Sequence, residues 1–336
     1  MRNFSIILLS LFSFKAFSQV NDNKIYSFLT LPNSPKQSAL GGDNVTISSN
    51  DANQVFYNPA ALNSSMDGQF NINYGSIYGD LHVGSANFTK TFSSNRTLQF
   101  GVVYMNYGDF DGYDELGQAT TQFSGNDIAA YLSYSYQIEN SDFYIGSNIK
   151  FISSTLESYS SYAVAADIGA LYKKEETGWT AGLSIRNIGT QLKSYEEVDE
   201  KLPFNITAGV SKQLENVPIR WHLTLENLQK WEIGFVNPNR GQEGLDGVKT
   251  EENIGFIDHA LRHVIIGAEL FTNKSFNVNL SYNFRRGEEL SYLNNKSFAG
   301  FSGGFAIKLN KLKFEYSYSR MNLAGNTNVL GLSIKL

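Results

Sequence analysis

A chain of 336 residues has room for one large β domain or two ordinary ones. It contains no cysteine, so disulfides are excluded and stability must come from the sheet itself, and a formal charge of −5 gives no reason to invoke nucleic acid. After the leader there is no apolar run of roughly 18 residues, which excludes a membrane helix; a β-barrel, whose signal is about ten alternating residues per strand, is compatible with the mean hydropathy of −0.26.

Residues 1–18, MRNFSIILLSLFSFKAFS, begin with a cation at Arg2, continue with an apolar core from Phe4 to Phe14, and end on small residues before Gln19. This pattern predicts a secretory signal peptide cleaved before Gln19, and therefore export. Over residues 19–67 strand alternation fails, because Pro32, Pro35 and Pro59 interrupt the chain and the strand-like DNVTIS is too short to span anything. Asn58, Pro59 and Ala60 read as a turn entering a helical start. Segment 19–67 is expected to be an N-terminal hatch, or plug, folded into or under a barrel formed by residues 68–336.

Fourteen strands are expected from Gly68 onward, near 69–76, 80–92, 96–106, 126–138, 143–155, 160–172, 178–188, 203–213, 218–227, 262–271, 275–285, 298–309, 312–321 and 328–336. The clearest is SFNVNLSYNFRR, in which Phe276, Val278, Leu280, Tyr282 and Phe284 share one face and Asn277, Asn279, Ser281, Asn283 and Arg285 the other. Alternation alone suits a soluble sandwich as well as a membrane barrel, so strand length and the connections have to decide. Most strands exceed the five or six residues of an ordinary soluble sheet. Every second connection is short and polar, at 93–95, 139–142, 173–177, 214–217, 272–274 and 310–311. The others include long ones, at 107–125, 189–202, 228–261 and 286–297, with short exceptions at 77–79 and 322–327. A sandwich has no reason to sort loops by parity, whereas outer-membrane barrels pair tight periplasmic turns with larger external loops and have an even strand number. The expected fold is all-β: a transmembrane antiparallel barrel of about 14 strands with periplasmic termini. The last strand, VLGLSIKL, still alternates where the chain stops.

With lipid on the apolar faces, the lumen receives Lys150, Asp167, Arg186, Arg220, Glu226, Glu269, Arg285, Lys308, Glu315 and Lys335. Charges in a narrow interior must pair or meet water, so ion-pair ladders bracing the wall and holding the hatch are expected. An apolar tunnel and an open solute pore are both disfavoured by this list and by the size of the hatch.

Constellations that carry chemistry are few. His259 and His263 stand four apart in IDHALRH, a helical turn in a loop that offers two metal ligands without a third. No GxSxG elbow or nucleophile–base arrangement occurs, so no enzyme and no cofactor are expected. In YGDFDGYDELG the carboxylates Asp109, Asp111, Asp114 and Glu115 surround Gly112, a spacing that permits calcium but departs from the EF-hand loop. The interleaved Tyr107, Phe110 and Tyr113 are costly to expose to water, and on an external loop they suggest a protein contact. Tyr107, Asp109, Phe110, Asp111, Tyr113 and Asp114 are therefore the candidate partner-binding loop.

Five stretches add a resemblance. LPNSPKQSALGG (31–42), FYNPAALNSSMDG (56–68), VVYMNYGDFDGYDELG (102–117), ESYSSYAVAADIGALY (157–172) and RNIGTQLKSY (186–195) resemble the PorQ family, outer-membrane components of the type IX secretion system of Bacteroidetes. The ALGG and NPA elements are shared with PorV and with FadL-like barrels broadly; LPNSP with YMNYGDFDGYDE is more specific. The resemblance implies a fourteen-strand FadL-like barrel and a non-catalytic role in the cell-surface attachment complex. There such a barrel holds PorZ beside PorV and the sortase PorU, which process exported cargo and join it to anionic lipopolysaccharide. The alternatives are a FadL-like transporter of hydrophobic compounds and a PorV-like cargo shuttle.

Overall fold

The computed structural model describes residues 24–47, 50–114, 116–196, 198–234, 254–272, 274–290, 298–321 and 325–336; the leader expected at 1–18 lies outside them. Fourteen strands follow in chain order: β1 Gln69–Ser76, β2 His82–Ser93, β3 Arg96–Phe110, β4 Phe123–Gln137, β5 Phe143–Leu156, β6 Tyr159–Lys174 and β7 Trp179–Lys193, then β8 Asn205–Gln213, β9 Ile219–Leu225, β10 Val264–Leu270, β11 Phe276–Asn283, β12 Phe301–Leu309, β13 Leu312–Ser319 and β14 Thr327–Lys335. Each pairs antiparallel with its neighbours in sequence, and β1 pairs with β14 from Gln69↔Lys335 to Ser76↔Asn328, which closes the barrel.

Closure removes every free edge, and the period of two then sends each strand's side chains alternately inward and outward. Ile72, Leu132, Ile149, Phe151, Ile168, Leu183, Leu280 and Leu332 all stand exposed on the outer face. An exposed apolar surface running from strand to strand around the whole wall is what a lipid-facing barrel requires and what a water-soluble protein avoids. No described helix is long and apolar enough to cross a membrane.

β3 and β7 outrun their expected ends furthest. β3 continues past residue 106 to Phe110 and β7 past residue 188 to Lys193. Gly108 and Gly189 fall in the connections expected at 107–125 and 189–202, yet Gly108 (φ 78°) sits where the β3–β4 register shifts between Asn106 and Asp109, and Gly189 pairs with Ala165 beyond a second shift between Ala166 and Ile168. A bulge absorbs the extra residue and lets the ladder go on. The turns between β2 and β3, β4 and β5, β6 and β7, β8 and β9, β10 and β11, and β12 and β13 share one mouth with the C-terminus, where the Leu336 amide donates to the Gly68 carbonyl. The opposite mouth carries most of the longer connections and two short helices, α2 (Phe256–Arg262) and α3 (Phe284–Glu289); α1 (Pro35–Ala39) lies in the N-terminal segment. Parity has one more exception than expected: β5 and β6 are joined at the long-loop mouth by Glu157 and Ser158 alone, with Glu157 at φ 55°.

Candidate functional site: the filled lumen and its two mouths

The N-terminal segment packs against the inward side of the wall. Locally it is a series of single turns: Asp51 accepts from the Asn53 amide, Asn58 from the Ala60 amide and Asn63 from the Ser65 amide, each a side-chain cap opening a 3-10 turn. Pro35 and Pro59 stand at first helical positions, where a missing N–H costs nothing. Such turns satisfy their backbone groups locally, which lets the segment enter the lumen without a sheet partner. Under it the wall loses side chains. A Cβ on Gly146 would come within 2.4 Å of the Pro59 carbonyl carbon, and one on Gly182 within 2.3 Å of the Val45 oxygen.

Phe28, Leu29, Phe56 and Tyr57 from this segment join inward side chains of the wall, among them Val83, Val103, Met105, Tyr131 and Ile152, in one buried cluster. A lumen read as polar and charged throughout thus has an apolar sector on β2–β6. The signal for it is present in the sequence, since VVYM (102–105) and YAVAA (162–166) are apolar on both faces. The chain's own aromatic side chains occupy that sector.

Ion pairs secure the rest. Arg186 of β7 contacts Asp43 and lies over the Tyr57 ring at 5.5 Å, and Asn205 donates to Asp43 at 3.1 Å. Lys36 of α1 meets Glu269 of β10 at 2.6 Å, and His222 contacts the same carboxylate at 2.7 Å while its Nδ1 lies 3.2 Å from Thr46. Lys313 of β13 meets Asp51 at 3.3 Å and Glu315 at 3.1 Å. Within the wall Lys150 pairs with Asp167 at 2.7 Å and lies 4.4 Å above the Phe56 ring. Asp167 also accepts from Asn148 and the Asn187 amide. Arg186, Glu269 and Lys313 therefore hold the inner segment directly through ion pairs, and each charge in these pairs meets an opposite one, as burial demands. Near the long-loop mouth Glu226 meets Arg285 at 3.3 Å and Arg262 meets Glu289 at 3.5 Å.

A cavity lies on either side of the inner segment. One of about 590 Å³ opens at the short-turn mouth, with Lys36, Asp51, Glu269, Lys308, Lys313 and Glu315 in its lining. Another of about 340 Å³ lies toward the long-loop mouth, lined in part by Asp43, Glu226, Arg285 and Arg286. Both are polar.

The candidate partner-binding residues divide. Tyr107 faces inward: it packs against the buried cluster, and its hydroxyl donates to Asp127 at 2.6 Å, so it is a wall residue and not part of an exposed loop. Asp109 and Phe110 also lie in β3, paired with Ser124 and Phe123. Phe110 is exposed and stacks on Phe123 at 5.3 Å, and Tyr113 is 66% exposed. Asp111 accepts from Gln122 at 2.7 Å, and Asp114 caps its own turn by accepting from the Leu116 and Gln118 amides. The carboxylates of this hairpin thus serve the turn, and among the described residues no three metal-type ligands converge; Glu115 lies outside the described residues. His263 caps α2 with both ring nitrogens against carbonyl oxygens, of Glu226 at 2.7 Å and Trp231 at 3.0 Å, so it does not join His259 as a ligand pair.

No family model and no curated protein matches the sequence. Among solved structures, the Ralstonia pickettii toluene transporter TbuX is similar with a TM-score of 0.58 and 12% identity, covering 92% of this chain and 100% of that one. The Pseudomonas putida toluene transporter TodX gives 0.58 and 12%, covering 91% and 98%. A Pseudomonas aeruginosa FadL homologue gives 0.47 and 10%, covering 90% and 97%. At these identities the likeness is one of fold. The chain has a closed fourteen-strand barrel fold like that of the two toluene transporters.

Proposed function

We propose that this chain is a non-catalytic outer-membrane barrel of the type IX secretion system that anchors PorZ at the cell surface, in an attachment complex with PorV and the sortase PorU. The termini and short turns face the periplasm, and the long loops face outside. The observation that carries this reading is the occupied lumen: residues 24–47 and 50–66 pack into the barrel with buried aromatics and three ion pairs to the wall, which favours work at the rim over work through the bore. At the long-loop rim, β3 and β4 pair as far as Phe110↔Phe123, beyond the point where β2 stops at His82↔Asn106. The hairpin therefore projects with Phe110 and Tyr113 exposed, the residue types that concentrate at interface centres. The motif resemblance supplies the identity of the partner.

Purification of the barrel in mild detergent should recover PorZ, and deletion of the gene should leave cargo unprocessed or released. Phe110→Ser with Tyr113→Ser should cut PorZ recovery at least several-fold while heat-modifiable migration of the barrel stays unchanged. A barrel always recovered alone, with secretion intact, ends the anchor reading, and direct recovery of cargo in place of PorZ favours a shuttle.

A second reading, transport of hydrophobic compounds, is supported by the fold likeness to toluene transporters and by the apolar sector on β2–β6 that Phe28 and Phe56 now fill. It requires the inner segment to yield, and it predicts uptake of a monoaromatic probe into proteoliposomes.

A further inference from the structure

The short-turn mouth concentrates positive charge in a chain whose formal charge is −5. Six cationic side chains line the 590 Å³ cavity against three carboxylates, and an adjoining cavity of about 170 Å³ adds Lys311 and Lys335 and no carboxylate. The carboxylates are already engaged: Glu269 by Lys36, Arg220 and His222, and Asp51 and Glu315 by Lys313. Among the described residues Lys274 and Lys308 have no ion-pair partner, and the Arg220 Nε is buried without a hydrogen bond. Lys308 and Lys313 stand directly opposite each other in the β12–β13 register, and Lys308 has the inward parity of Ser302 and Ala306. Like charges so placed destabilise a sheet pair. A lysine aimed outward would extend to lipid headgroups; both of these lysines line both cavities, with Lys308 exposed at the mouth.

The geometry points to a binding site for a phosphate-bearing polyanion in this mouth, held between Lys308 and Lys313 and closed by Lys36, Arg220 and Lys274. Lysine ammoniums bind phosphate oxygens as point charges, and a group carrying two or more negative charges can engage several of them at once. A volume near 590 Å³ is in the range of small-ligand sites and far above that of a single ion. The assignment is independent of the partner at the opposite rim.

The test uses the full mature barrel in uncharged detergent, with inorganic pyrophosphate as the soluble probe and dihexanoyl phosphatidic acid as the headgroup probe. Pyrophosphate should raise the temperature of heat-modifiable unfolding and bind measurably by calorimetry, with affinity falling as salt rises. Lys308→Glu should weaken that binding at least tenfold, and, because the cross-strand repulsion is gone, it should unfold no earlier than the parent in phosphate-free buffer. Lys174→Glu, which makes the same charge change on the outward parity of β6, should bind as the parent does. Phosphatidic acid bound more tightly than pyrophosphate would make a lipid headgroup the source, and the reverse a soluble phosphate. Absence of pyrophosphate binding, equal binding by Lys308→Glu, or equal binding of a tetraglutamate peptide would overturn the phosphate site.

Discussion

At the residue scale, the inner segment is held by a few charges whose partners sit on the wall. Asp51 shows how such a contact depends on pH. Burial acts to raise its carboxyl above the ordinary 3.8, but the ammonium of Lys313, then that of Lys36, and the Asn53 amide more than offset this and hold it lower. A carboxyl depressed in the folded state contributes stability that is fully present above its unfolded pKa and is lost as pH falls through the folded one. Protease access to residues 50–67 should therefore stay constant down to about pH 4 and rise below it, and Asp51→Asn should flatten that acid step while leaving the segment looser at neutral pH. Asp43 is the more consequential partner, since Arg186 is wholly buried and its removal would leave a lone guanidinium inside, a loss of about 3–5 kcal/mol in comparable cases. Arg186 could be picked out from the sequence as an inward charge. Its partner could not, because Asp43 lies 143 residues away in a segment with no periodicity.

At the element scale, each strand carries two messages on its two faces. The outward one is read by lipid: Leu280→Arg, placed mid-strand on β11 between Ala268 and Gly303, should cost about 2–4 kcal/mol near the bilayer midplane and appear as reduced assembly in outer-membrane fractions. The inward one is read by the N-terminal segment. Gly146 of β5 and Gly169 of β6 stand opposite each other beneath Asn58 and Pro59, and a side chain on Gly146 has backbone in its way. Gly146→Val should cost about 1–3 kcal/mol by overpacking. It should expose the 58–61 turn to proteolysis while the barrel still migrates as a folded species; unchanged protection would mean the segment does not seat on this glycine pair. Strand existence was legible because period-two alternation is local. The continuation of β3 beyond residue 106 and of β7 beyond residue 188 is not legible, because a bulge and a stop look alike until the partner strand supplies its register.

At the scale of the whole molecule, the question is whether the inner segment moves. Ser38 and Ser319 bring their hydroxyls within 3.0 Å across the segment–wall contact, and the chain has no cysteine to compete. Ser38→Cys with Ser319→Cys should oxidise to a bridge that leaves PorZ recovery unchanged if the barrel works as an anchor. If the barrel transports, the same bridge should abolish uptake of a monoaromatic probe, with reduction restoring it. Sequence alone determined the strand count, the outward apolar face and the sorting of most connections by length, because alternation and turn chemistry act over a few neighbouring residues. Only the tertiary structure decided which inward charges pair with the N-terminal segment, that Tyr107 turns into the wall, and that an apolar sector on β2–β6 is filled by Phe28 and Phe56. Those depend on barrel closure, which brings residues far apart in the chain to the same depth of one lumen.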